Sequence, residues 1–214
     1  MAAKHIYLVR HGETADNRRW IHQLLDVSLS AKGKRQADAL VGAFAAIPLD
    51  AAITSDAVRA VETAQPTVSA HKLAPVPNPL LRELHRGVLL EGTHHLSWPS
   101  IKGSLLLFLR ASDRSFHFGN GENILEFRDR LARILDLLAR APGEQVFVVT
   151  HRGVINSLRY VLAHGSTPSP RRFALAAVLG HTENASITEL TYDPSRTAPW
   201  RIERRDDTRH LRGL

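Results

Sequence analysis

Two apolar segments of the chain end in a histidine: residues 6–9 run into Arg10-His11, and residues 145–149 run into Thr150-His151. Each segment is short and rich in β-branched and large apolar side chains. That pattern predicts a buried strand whose carboxyl end delivers polar side chains into a loop. Between the two lie stretches with helical periodicity. Strands alternating with helices pack in layers around a largely parallel sheet. In such sheets ligands collect beyond the carboxyl ends of the strands. A histidine at each of two such ends therefore constrains the fold and the location of chemistry together.

The remaining segments extend this plan to a single domain over residues 1–214: an α/β three-layer sandwich, its central, largely parallel sheet flanked by helices. Ala37, Leu40, Val41 and Phe44 recur at helical spacing within 30–46, with Ser30 as N-cap. Residues 51–54 read as a second strand, and Ser55-Asp56 as the cap of a helix reaching about residue 69. Prolines in 73–79 confine that stretch to an edge strand or an extended connector. Ile124, Phe127, Leu131, Ile134, Leu135 and Leu138 make 122–140 an amphipathic helix. Residues 154–162 read as a helix, 167–172 as a Pro-containing loop, 185–192 as a strand and 200–203 as its neighbour. The last ten residues are expected to be loosely held. Residues 84–120 are the least regular stretch, with a short helix at 100–110, and read as an insertion or cap over an active site.

The chain has no cysteine, which excludes disulfides, thiolate metal sites and cysteine nucleophiles. No stretch approaches the roughly 18 apolar residues of a membrane span. The apolar run after the N-terminus is too short for a signal-peptide core, so the expectation is a soluble, cytoplasmic protein. A formal charge of +7 favours anionic ligands, although an arginine-rich composition also arises from genomic base composition. No basic run is interleaved with aromatics as a single-strand nucleic-acid groove requires, so neither nucleic acid nor membrane is expected as a partner.

Moving a phosphoryl group requires a nucleophile, cationic clamps for the equatorial oxygens and a proton donor for the leaving oxygen. A neutral imidazole can attack phosphorus, and the planar fork of arginine meets two oxygens at once. Arg59 falls in the first turn of a predicted helix, where a cation opposes the macrodipole, so a ligand role explains its position better than a structural one.

Leu8-Val9-Arg10-His11-Gly12-Glu13-Thr14 with Asn17 resembles the signature of the histidine phosphatase superfamily, which includes the phosphoglycerate mutases. The resemblance continues through residues 29–37, Ser55-Asp56-Ala57-Val58-Arg59-Ala60, Leu81-Arg82-Glu83-Leu84-His85-Arg86-Gly87 with Glu91-Gly92, Gly121-Glu122-Asn123, Val149-Thr150-His151-Arg152-Gly153 and Asn184-Ala185-Ser186-Ile187. It implies a phosphoglycerate mutase-like fold with His11 as nucleophile, Arg10 and Arg59 as phosphate clamps, and His151 completing the pocket. It further implies that Glu83 serves as general acid and then base, with Asn17 a further phosphate contact and no metal or other cofactor. Glu91 is a rival acid. His85, His94, His95 and His117 show no ordinary metal-ligand spacing and are expected to line the pocket or face solvent.

Arg152, where a small residue is common, and Leu90, where an aromatic often stands, depart from the pattern; Arg152 is a candidate substrate contact. Residues 18–26 do not match the longer mutase signature, which favours hydrolysis of a small phosphorylated metabolite over phosphoglycerate mutase-type transfer. A non-catalytic phospholigand-binding module is a third reading, and the retained Glu83 argues against it. A homodimer is left open.

Overall fold

A computed structural model describes residues 3–165 and 169–214. In chain order the elements are β1 (Lys4–Arg10), α1 (Ala15–Arg18), α2 (Ala31–Phe44), β2 (Ala51–Thr54), α3 (Val58–Ala70), β3 (Val76–Pro77), α4 (Trp98–Leu109), α5 (Ile124–Arg140), β4 (Gln145–Thr150), α6 (Arg152–His164), α7 (Pro170–Leu179), β5 (Ile187–Tyr192) and β6 (Trp200–Asp207). The strands form one sheet in the order β3-β2-β4-β1-β5-β6. The pairs β1/β4, β2/β4 and β2/β3 are parallel, whereas β1/β5 and β5/β6 are antiparallel.

Alternation along β1 divides the core into two layers. Ile6 and Leu8 point into a cluster built with Phe127, Leu131 and Ile134 of α5, Ile155 of α6 and Phe173 of α7. Tyr7 and Val9 point the other way, onto Leu40 and Phe44 of α2 and Ala60 and Ala64 of α3. Both faces are thus covered, which is why the central strands read as continuous apolar runs. Fully burying a side chain such as Leu8 or Phe127 contributes about 1.5–3 kcal/mol. Helix starts follow the sequence where the cap is local: Ser30 Oγ accepts from Gly33 N at 3.1 Å, and Asn123 with Glu126 forms a capping box for α5.

Three expectations are corrected. Ser55-Asp56 does not cap α3: the N-cap is Ala57, with no side-chain bond, because Ser55 is taken by His151 and Asp56 by Arg82. Residues 170–172 do not form a loop but begin α7, with Pro170 in the first turn, where its missing N–H is no loss; positions 167 and 168 of that expected loop lie outside the described residues. The C-terminal stretch is tied down: β6 runs to Asp207, Asp206 pairs with Arg159 at 2.5 Å, His210 Nε2 donates to Ala185 O at 3.0 Å, and Leu211 packs on the α2/α3 side of the core.

The segment 84–120 contains α4, two residues longer at its start than expected. It is pinned to residues 20–23 by main-chain bonds His22 N to Thr93 O (2.9 Å), Gly92 N to His22 O (2.8 Å) and His95 N to Trp20 O (2.7 Å). Among the described residues no helix is long and apolar enough to cross a membrane.

Candidate active site

The β1/β4 register pairs Arg10 with Thr150, so the two strands end level. His11 and His151 follow immediately, with ring centroids 5.1 Å apart. Both are buried, at 4% and 0% exposure, on the wall of a cavity of about 1030 Å³. A second, mostly apolar groove of about 870 Å³ lies elsewhere, between the β2/β3 edge and α5, away from both histidines.

His11 Nδ1 lies 2.8 Å from Gly12 O. A carbonyl only accepts, so Nδ1 carries the proton and the Nε2 lone pair is left free. Burial first, then the charges of Arg59, His151 and Arg10, hold the His11 pKa well below its ordinary value. The ring is therefore a neutral imidazole with an available nucleophilic nitrogen. The loop that presents it is fixed by close backbone packing: a Cβ at Gly12 would stand 2.7 Å from Gly33 O, and Gly12 N donates to Thr63 Oγ1 at 2.9 Å.

His151 Nε2 bonds to Ser55 Oγ at 2.8 Å, and Arg59 Nη2 reaches its Nδ1 at 3.4 Å. Arginine cannot accept, so Nδ1 accepts and Nε2–H donates to the hydroxyl. Burial, with the charge of Arg59, pushes the His151 pKa down to about 3. Arg59 is itself 3% exposed, and its Nη1 donates to Leu24 O at 2.7 Å. Arg10 donates to Thr182 O at 2.5 Å. The Nε atoms of Arg10 and Arg59 are buried without an acceptor among the described residues, and burial lowers both pKa values to about 10. Two fixed cations with unused donors beside a neutral imidazole suit a tetrahedral oxyanion.

Glu83 enters from the loop after β3. Its Oε1 accepts from Leu84 N at 2.9 Å and its Oε2 from Gly153 N, at the start of α6, at 3.0 Å. Burial works to raise its pKa, but His151, the Gly153 N–H, Arg152 and the Leu84 N–H outweigh it and hold the carboxyl below its ordinary value. Glu91 lies at the cavity rim, with His85 at 3.6 Å, and has no comparable backbone anchorage.

Asn17 lines the cavity, and its Oδ1 is occupied by Thr14 N and Asn184 Nδ2, both at 3.2 Å. Arg152 also faces the cavity. The four histidines of the insertion are not brought together: His85 and His95 line the cavity, His94 Nδ1 accepts from Leu96 N, and His117 pairs with Glu126. Among the described residues no group of three His, Asp or Glu is arranged for a metal ion.

Sequence reasoning overlooked several contributors. Ser55 holds His151. Asn184 Nδ2 braces His11 O at 2.9 Å. Arg130 of α5 fixes the Glu83 loop, donating to Leu80 O (2.6 Å), Arg82 O (2.7 Å) and Glu83 O (3.3 Å) while pairing with Glu122. His22, Arg86 and Ser100 complete the wall opposite. The motif strings contained Ser55, Arg86 and Asn184, but nothing local indicated which side chain each would meet.

The family model described as the histidine phosphatase superfamily (branch 1) matches residues 6–208. The chain belongs to that superfamily. A curated relative, a probable phosphoglycerate mutase (GpmB) of Yersinia enterocolitica, is 30% identical over 96% of this chain and 94% of its own length. Among solved structures, Bacillus stearothermophilus YhfR has a TM-score of 0.78 at 26% identity, covering 97% of this chain and 98% of the other. A mycobacterial glucosyl-3-phosphoglycerate phosphatase has a TM-score of 0.74 at 25% identity, covering 96% of this chain and 100% of the other. This superfamily member thus shares its fold with a phosphatase and is similar in sequence to a probable mutase, and the superfamily's phosphatase and mutase chemistry supports an enzyme.

Proposed function

We infer that this histidine phosphatase superfamily member is a phosphomonoester hydrolase acting through a phosphohistidine on a small phosphorylated metabolite. The observation that carries the reading is the free Nε2 of neutral His11, facing a cavity beside Arg10, Arg59 and His151, with a backbone-anchored Glu83 in the same wall. In the first half-reaction Nε2 attacks phosphorus and the P–O bond to the leaving oxygen breaks. Glu83, protonated, gives that oxygen its proton. In the second, the Glu83 carboxylate takes a proton from water as the water oxygen attacks phospho-His11, releasing inorganic phosphate and restoring both residues. Arg10, Arg59 and His151 offset the charge on the transferring group, with Asn17 as a further contact.

A cavity of about 1030 Å³ leaves room for water beside a small monoester, which supports hydrolysis. The similarity to a probable phosphoglycerate mutase of Yersinia enterocolitica favours the second reading, transfer to another hydroxyl. One experiment separates them. The enzyme is charged with a labelled monoester and quenched, and acid-labile label on His11 is measured with and without glycerate as acceptor. Hydrolysis predicts a label that decays to inorganic phosphate at a rate glycerate does not alter. Glu83→Gln should let the label accumulate. Label passing mainly to glycerate establishes the mutase, and absence of both label and phosphate release across a monoester panel refutes either enzyme.

A further inference from the structure

A surface helix ordinarily turns charged residues outward, as α5 does with Glu126, Asp129, Arg133 and Asp136. Helix α4 breaks this rule. Its 12 residues include one charge, Lys102. Ser100, Gly103 and Leu107 face the core. The opposite face, one or two turns apart, consists of Trp98, Ile101, Leu105 and Leu109, and it is open to solvent: Trp98 is 74% exposed, Leu105 54% and Leu109 49%. A helix that is apolar all round is normally covered on both sides.

The apolar surface continues past α4. Helix α7 packs against α4 and exposes Leu175 and Leu179 on its own outward face. Exposed Trp20 is tied to the same segment by the His95 N to Trp20 O bond, three residues before Trp98. Contiguous exposed apolar surface of this kind marks a contact with another molecule.

The border of the surface carries charge of one sign. Residues 17–25, 92–112 and 169–182 contain no aspartate or glutamate. They contain Arg18, Arg19, Lys102, Arg110, Arg171 and Arg172. Arg110 is offset by Asp113 at 3.2 Å. The other five have no carboxylate oxygen within 4.0 Å among the described residues. Arg171 lies against α4, with its guanidinium carbon 5.9 Å from the Phe108 ring centroid.

This border selects the occupant. A second copy docked about a two-fold axis would set these cations against their own kind, with no acid on the face to meet them. Side chains exposed over half their surface stand out from the fold rather than line a groove for a peptide. Protruding apolar residues with a tryptophan and flanking cations match the interface of a bilayer bearing anionic lipids. The sequence expectation of no membrane partner rested on the lack of a spanning segment, which bears on crossing a bilayer and not on lying against one.

We propose that the outward faces of α4 and α7 form a docking surface for an anionic lipid bilayer, with Trp98, Leu105 and Leu109 entering the headgroup boundary and Lys102, Arg171 and Arg172 meeting lipid phosphates. This surface is separate from the reaction assigned above and stands or falls without it.

Co-sedimentation of the full chain with vesicles tests it, using phosphatidylcholine alone and phosphatidylcholine mixed equally with phosphatidylglycerol. The mixed vesicles should bind about tenfold or more tightly than the neutral ones, and salt should weaken the binding. Leu105→Gln combined with Leu109→Gln should lower binding about tenfold, and Lys102→Gln about fivefold. Neither should alter the thermal midpoint or turnover of a soluble aryl phosphate. Brominated lipid should quench tryptophan emission, and Trp98→Phe should reduce that quenching. The proposal is overturned if the wild type fails to bind mixed vesicles at low salt, a result needing no variant. It is also overturned if the leucine variant binds within twofold of wild type, because general positive charge would then suffice, or if Trp98→Phe leaves quenching unchanged. A dimer in sedimentation equilibrium that the leucine variant dissociates would assign the face to a second copy and likewise overturn it.

Discussion

Gly153→Ala should disable Glu83 without unfolding the protein. A Cβ at Gly153 would overlap Glu83 Oε1 and stand 3.1 Å from its Cδ, with Ala177 O at 3.5 Å on the other side. The carboxylate must retreat by about 1 Å to restore a normal contact, and it cannot do so while keeping both its bond to Gly153 N (3.0 Å) and its bond to Leu84 N (2.9 Å). A misplacement of about 1 Å costs on the order of a hundredfold in rate, within the 10²–10⁴ range that a general acid supplies. Stability changes little, because losing one charge-assisted bond costs about 1.5–3 kcal/mol while alanine regains about 0.5–1 kcal/mol over glycine in a helix. For a chain of this size the net is a fall in Tm of roughly 1–10 °C. The assay is single-turnover phosphorylation of His11 by an alkyl phosphate, which needs a protonated leaving oxygen, and by 4-nitrophenyl phosphate, whose leaving group departs unaided. The alkyl reaction should slow about a hundredfold and the aryl reaction by less than about tenfold, while later hydrolysis of phospho-His11 slows for both. An alkyl rate within threefold of wild type in a folded variant would show that Glu83, as positioned by Gly153, carries no proton in the reaction.

Ser55→Ala leaves His151 Nε2 buried without its partner. It should lower stability by about 1–3 kcal/mol and kcat by about tenfold, checked by thermal unfolding and steady-state kinetics. Arg130→Met frees three carbonyls of the Glu83 loop and strands Glu122, so it should cost about 3–5 kcal/mol by denaturant titration and lower kcat more than it raises KM. His11 and His151 have folded pKa values below the unfolded value, so their neutral forms contribute full stability above pH 6.5 and lose it as pH falls, when the unfolded chain gains protons that the fold refuses. Each contributes a loss of about 1.4 kcal/mol per pH unit below that point, visible as a falling Tm that saturating inorganic phosphate reduces. The pH optimum of kcat/KM should be acidic, since it needs neutral His11 and protonated Glu83 and both pKa values are lowered; an optimum above pH 8 contradicts it.

The sequence carried information where a residue's surroundings are local or periodic. Residues 146–149 are apolar because both faces of the central strand are covered, and 122–140 show their core face because α5 packs on one side only. The two strand-end histidines were legible for the same reason: parallel neighbours with level ends must place them together. Ser55-Asp56 misled because Ser-Asp before a helix is ordinary cap chemistry, and here the two side chains turn to tertiary partners, His151 just beyond β4 and Arg82 of the Glu83 loop. α7 was hidden by Pro170 and Arg171-Arg172, which read as loop although proline suits a first turn. The wall formed by His22, Arg86 and His95 was unreadable because two irregular segments, around residue 22 and within 84–120, build it, with no period linking them.

One arrangement accounts for both binding and nucleophilicity. A phosphate clamp requires cations, and cations beside His11 lower its pKa, so the residues that attract the anion also keep the imidazole unprotonated before the anion arrives. Burial works to raise Glu83, but His151, the Gly153 N–H and Arg152 lower it, although the proposed first step needs it protonated. In the proposed mechanism the incoming dianion resolves the conflict: it offsets the positive field of the cavity and so raises the pKa of Glu83 when a proton is needed there. His11 feels the same rise, but by then its Nε2 faces phosphorus rather than solvent, and its Nδ1–H is committed to Gly12 O. On the proposed mechanism, once phosphoryl transfer has consumed the lone pair, His11 no longer competes for that proton, and Glu83 is left as the carboxylate that the attacking water requires. The order of the two proposed half-reactions thus follows from where the charges sit, with Gly153 N and Leu84 N holding the one group whose protonation must alternate.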